Sequence, residues 1–131
     1  MNRWRLLGLA SLLLVVLGIG GCFLFPNHPP VASFTVVYGI DENDPLVVQL
    51  DASGSTDPDG DDIVSYMWSF GDNVTIITPL DHSKTVSVPT ITVRYPVEGT
   101  YTLTLVVVDS RGAMSDPVTA DMEVPPPTQG S

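Results

Sequence analysis

The chain has 131 residues, 15 acidic and 5 basic, a net charge of −10 and one cysteine. That length leaves room for one domain, and the lone cysteine excludes an internal disulfide, so packing alone must hold the fold. The acidic balance repels phosphate backbones and favours cations, which argues against nucleic acid as a partner.

The first element is apolar. Arg3 and Arg5 form a positive n-region, and no charged residue occurs from Leu6 to Phe25. A run of about 20 apolar residues can span a bilayer as a helix, whereas a secretory h-region takes about 7 to 15. Gly18, Gly20 and Gly21 interrupt the run just before Cys22, which suits a protease-accessible extended segment better than a continuing helix. Ile19-Gly20-Gly21-Cys22 resembles the lipobox of bacterial lipoproteins. The resemblance implies a signal peptide over residues 1–21, cleavage after Gly21, and a diacylglyceryl group on the Cys22 sulfur as membrane anchor. The alternative is an uncleaved anchor helix with Cys22 as a buried thiol. On either reading the remainder is exported and faces away from the cytoplasm, held at the cell membrane or outer membrane. Without residues 1–21 only Lys84, Arg94 and Arg111 oppose the 15 acidic residues, a net charge of −12.

Residues 22–28 read as a lipidated tether, since Pro26, Pro29 and Pro30 keep this stretch extended. Residues 29–124 read as the folded unit, and 125–131 as a Pro-rich polar tail resembling a linker toward another domain. Inside the unit the apolar pattern alternates with period two, so the domain is expected to be all-β. Val31 to Val36 gives a first strand; Leu46, Val48, Leu50 and Ala52 share a face of the second; Val64, Tyr66, Trp68 and Phe70 share a face of the third. Val74 to Ile77 and Thr85 to Val93 supply further strands, which Pro79 and Pro89 demote to edges. Tyr101, Leu103, Leu105 and Val107 oppose Thr102, Thr104, Val106 and Val108 in a central strand, and Val118 to Val124 closes the sheet.

About seven strands in under about 100 residues is the count of an immunoglobulin-like β-sandwich. Turn signals at Asp57-Pro58-Asp59-Gly60, Gly71-Asp72-Asn73, Glu98-Gly99 and Ser110-Arg111-Gly112 separate them. Trp68 is expected at the centre of the core, and Tyr101 is positioned to make a corner hydrogen bond.

Several motifs in order are similar to those of the polycystic kidney disease (PKD) domain family. They are Asn27-His28-Pro29-Pro30-Val31-Ala32, the loop from Leu50 to Gly60, Ile63-Val64-Ser65-Tyr66 with Trp68, Phe70, Gly71 and Asp72, then Gly99-Thr100-Tyr101, Leu103-Thr104-Leu105 and Val108-Asp109 with Gly112. The chain departs at Asn73, where the family has Gly, and at Val93, where a His is common. The stretch from Asn73 to Arg94 looks longer than usual and is a candidate for specificity. Asp61-Asp62 lengthens the acidic loop. The resemblance implies a non-catalytic binding or spacer module for protein or carbohydrate; the alternative is an accessory-domain fragment of a larger exported enzyme such as a protease or glycoside hydrolase.

The residues agree with a non-enzyme. His28 falls in the tether and His82 in a loop, both expected to be solvated, so neither a triad nor a zinc site assembles. Asp57 and Asp59 are two apart in one turn and do not face each other across a cleft. No cofactor is expected with the exception of calcium. The loop is not an EF-hand: Gly60 falls at the fourth position, and Trp68 stands where the bidentate Glu belongs. Some members of the resembled family bind calcium through positions matching Asn27, Asp57, Asp59 and Asp109. The competing reading is a plain turn, with the Asp side chains capping nearby amides.

Overall fold

The structure is a computed structural model that describes residues 25–126. The lipobox, Cys22 and the end of the tail lie outside the described residues. Among these residues every regular element is a strand: β1 (Thr35–Val37), β2 (Val47–Asp51), β3 (Ile63–Ser69), β4 (Thr75–Thr78), β5 (Thr85–Val86), β6 (Thr90–Arg94), β7 (Gly99–Asp109) and β8 (Val118–Val124). No helix among them is long and apolar enough to cross a membrane.

The strands form two antiparallel four-stranded sheets, ordered β1-β2-β6-β4 and β5-β3-β7-β8. Each sheet buries one face against the other, an immunoglobulin-like sandwich. Alternation selects the inward side chains: Leu103, Leu105 and Val107 on β7 are fully buried, while Thr102 is exposed and Thr104 and Val106 are half-buried. They meet Val48 and Leu50 of β2 and Ile91 and Val93 of β6, all fully buried. Each such side chain contributes about 1.5–3 kcal/mol on burial. Trp68 sits in this cluster, 4% exposed, with Phe34 edge-on at 5.5 Å between ring centroids.

The structure departs from the sequence reading in four places. The first strand is shorter than Val31 to Val36: Val31 makes only an isolated bridge to Thr56. After Pro29-Pro30, the Ser33 amide bonds the Ser55 hydroxyl at 3.0 Å instead of joining a ladder. Val64 is exposed and does not share the face of Tyr66, Trp68 and Phe70, because a register shift between Ile63 and Ser65 breaks the alternation. β6 is not an edge strand; it lies between β2 and β4. Pro89 precedes it and costs no ladder bond, and its carbonyl accepts the Ala52 amide at 2.9 Å. Finally, the stretch from Asn73 to Arg94 is mostly framework, since Ile76, Val86, Ile91 and Val93 are core residues. Its surface portion narrows to the β4–β5 loop, where Leu80 is 83% exposed, and to Ser87 and Val88.

Candidate functional site at the tether end

Antiparallel register decides which loops share an end of the sandwich. Ile63, which opens β3, pairs with Asp109, which closes β7. The acidic loop before β3 and the Ser110-Arg111-Gly112 turn after β7 therefore lie side by side, and the Ser110 amide bonds the Asp62 carbonyl at 2.8 Å. The tether arrives at the same place, where Val31 and Thr56 exchange backbone bonds of 2.7 and 3.0 Å.

Asp57 organises the loop. Its Oδ1 accepts the amides of Asp59 at 2.8 Å and Asp61 at 3.2 Å, and its carbonyl accepts the Gly60 amide at 3.2 Å. Gly60 has φ +80°, a left-handed conformation that a side chain would strain. This curl brings Asp57, Asp59 and Asp61 together, with one carboxylate oxygen from each lying within 4.8 Å of the others.

Asp109 is 1% exposed. Its Oδ1 accepts the amides of Arg111 at 2.8 Å and Ala113 at 2.9 Å, and its Oδ2 accepts the Asn27 side-chain amide at 2.9 Å. Burial works against its ionisation, yet the amides of Ala113, Arg111 and Gly112 together with Asn27 hold its carboxyl below the usual range. The tether is held twice more. The His28 amide donates to Asp59 Oδ2 at 2.6 Å and its ring Nδ1 lies 2.8 Å from Asp59 Oδ1, while Arg111 donates to the Phe25 carbonyl at 3.1 Å. The His28 backbone and ring bonds keep the Asp59 carboxyl below its ordinary value. His28 is thus engaged rather than merely solvated, as is His82, whose Nδ1 lies 2.7 Å from the Ile76 carbonyl.

All four candidate ligands lie at this end, in unequal states. Asn27 contacts Asp109 directly, whereas Asp109 has both oxygens committed to amides. Asp59 faces His28 with both of its own. Asp61, read from sequence only as lengthening the loop, completes the carboxylate cluster. Its signal was its spacing, four residues after Asp57 and within reach of the same carboxylate oxygen.

Three oxygens here are buried with no hydrogen-bond partner: Asn27 Oδ1, Asp57 Oδ2 and Asp61 Oδ2. Buried acceptors are costly to leave unpaired. Hard oxygen donors of this kind are what a calcium-like cation takes, and the clustered carboxylates of Asp57, Asp59 and Asp61 fit such an ion. Arg111 is the competing cation, its Nη1 3.7 Å from Asp61 Oδ2.

The opposite end is built from tyrosines. Tyr95 is fully buried and lies 4.1 Å, centroid to centroid, from Tyr101, whose hydroxyl donates to the Val97 carbonyl at 2.7 Å. That is the corner bond expected of Tyr101. Burial pushes the Tyr95 phenol far above its ordinary value, with Tyr101 and Tyr38 adding to the shift.

Comparison with known proteins places this geometry. Residues 27–124 match the family model described as PKD domain. The PKD1 domain of Vibrio anguillarum Epp is similar at 29% identity and TM-score 0.55, covering 78% of this chain and 100% of that one. The PKD1 domain of the Vibrio cholerae metalloprotease PrtV is similar at 31% identity and TM-score 0.52, covering 74% and 98%. A structure titled for the promiscuous specificity of carbohydrate-binding modules of the β-sandwich superfamily is similar at 34% identity and TM-score 0.57, covering 79% of this chain and 37% of that one. Comparison with curated proteins gave no match. With nearly the whole described sandwich inside the match, the chain belongs to the PKD domain family.

Proposed function

We propose that this protein is a lipid-anchored surface protein whose PKD domain serves as a non-catalytic spacer and binding module, stiffened at its tether by calcium. The observation that carries the proposal is the convergence of tether and acidic loop. Phe25, Asn27 and His28 are bonded to Arg111, Asp109 and Asp59 at the end where three buried oxygens lack partners. An ion taken up by Asn27, Asp57 and Asp61 joins the tether to the domain and restricts how the domain swings above the membrane. Cys22 carries the lipid that makes such an orientation matter.

Between the two ligand classes, protein is favoured over carbohydrate. Sugar rings dock on exposed aromatic faces, and in the described sandwich Trp68, Tyr66, Phe70 and Tyr95 are spent on the core. The open groove beside the acidic loop is lined by Ser55, Thr56, Asp57, Asp61 and Ser87, with Tyr66 only 7% exposed. A second reading, an accessory domain beside a catalytic one, draws on the similarity to a domain of a metalloprotease.

Mass spectrometry of the membrane-extracted protein tests the anchor. An acylated Cys22 at the N-terminus is expected, and a retained Met1 overturns it. Binding of the exported protein to protein and glycan arrays, with and without calcium, then separates the ligand classes; glycan-only binding overturns the preference for protein.

A further inference from the structure

The end of the sandwich farthest from the tether carries a feature that the spacer reading leaves unused. Asn73-Val74-Thr75 is the one Asn-X-Ser/Thr tripeptide in the chain, and its middle residue is not proline. It occupies the β3–β4 turn. Asn73 and Thr75 are both exposed, and Asn73 has φ +59°, at the apex of the turn after Gly71 with φ +95°. Thr75 opens β4 opposite Arg94, the last residue of β6.

We infer that Asn73 is an N-glycosylation site, whose glycan projects from the end of the domain opposite the tether. The inference rests on export, as proposed above, because the glycosyl donor and the transferase act on exported chains. The chemistry is a displacement at the sugar. The Asn73 carboxamide nitrogen attacks the anomeric carbon of an oligosaccharide carried on a polyprenyl pyrophosphate. The new C–N bond forms as the anomeric C–O bond breaks, the lipid pyrophosphate leaves with the bonding pair, and the displaced amide proton passes to a base of the transferase. The Thr75 hydroxyl is the recognition group two residues on.

Position decides whether the folded domain tolerates the product. Val74 is half-buried and Ile76 is in the core, so a glycan on either neighbouring inward position would disrupt packing. Asn73 is exposed, and a left-handed apex directs its side chain clear of the sheet. Because Asn73 and Thr75 are both exposed, the sugar stands in solvent in the folded domain.

The test is peptide mapping by mass spectrometry of the full-length protein purified from the membranes of its native host, with external protease on intact cells reporting export. The Asn73 peptide should carry a hexose or N-acetylhexosamine series, lost completely in both Asn73→Gln and Thr75→Ala, while both variants melt as the wild type does. A surface-exposed protein with a bare Asn73, or a glycan that persists in Asn73→Gln, overturns the inference and leaves the export reading intact. Retention in the cytoplasm overturns both.

Discussion

The two ends of this sandwich solve the same problem, how to close a pair of sheets, with opposite chemistry. At the tether end the closing groups are carboxylates and amides: Asp109 gathers two backbone N–H groups and Asn27, and Asp57 gathers two more. At the far end they are rings: Tyr95 lies against Tyr101, and Tyr38 reaches the Glu123 carbonyl at 3.1 Å. The ring end is closed by the chain's own aromatic groups and leaves one buried hydroxyl, that of Tyr95, without a partner among the described residues. The acidic end leaves three orphan oxygens among the described residues, which the proposed cation would complete. On the calcium proposal, the stability of the ring end is indifferent to the ion and that of the acidic end depends on it.

Truncation of the core between the ends should have the largest effect. Trp68→Ala is expected to cost about 3–5 kcal/mol, much of a small domain's stability, and an unchanged melting temperature would show that the ring lies outside the cooperative core. Calcium should come next. With extracellular-module affinity of about 10⁻⁴ to 10⁻³ M, about 10 mM calcium stabilises the folded form by about 1–3 kcal/mol. Asp57→Asn should abolish that gain and leave the melt in chelator little changed; an equal calcium shift in the mutant places the ion elsewhere. Tyr101→Phe removes the corner bond to Val97 and should cost about 0.5–1.5 kcal/mol with calcium present or absent. If its cost depends on calcium, the two ends are coupled and the contrast drawn here fails.

Acid should act at the tether end through Asp59 and Asp109, and at the far end through Asp44, whose carboxyl the Arg94 side chain also holds below its ordinary value. The carboxyls of Asp59 and Asp109 titrate below their ordinary values in the folded state. They contribute fully above the unfolded value of about 3.9, and the contribution is lost as pH falls from there through the depressed folded values. Thermal melts from about pH 5 down to about pH 2, a range that spans the ordinary and the depressed carboxylate values, should decline in wild type. Asp59→Asn should decline less steeply, and parallel curves would remove Asp59 from the account. The smallest effect is expected at Tyr95→Phe. Deleting a buried hydroxyl without a partner relieves a desolvation cost, so the melting temperature should hold or rise slightly. A clear loss would mean that the hydroxyl is bonded in solution, with a buried water as its partner.

Much of this molecule follows from its sequence. Period-two alternation gives the inward faces of β2 and β7, the strand pattern puts Trp68 in the core, and the Gly-Thr-Tyr of residues 99–101 signals the corner bond. Those features are local: alternation, turn chemistry and one ring are encoded within a few residues of each other. Tertiary structure alone decided the others. β6 became an interior strand because β4 chose to pair with it, and Val64 turned outward because the register against β7 slipped at Ile63. Tyr95 became the largest fully buried side chain through packing beneath Tyr101. Most of all, the company each carboxylate keeps was set by the fold. Asp59 meets His28 across 31 residues and Asp109 meets Asn27 across 82, and no pattern along the chain records contacts that exist only once antiparallel register has brought distant loops to one end of the sandwich.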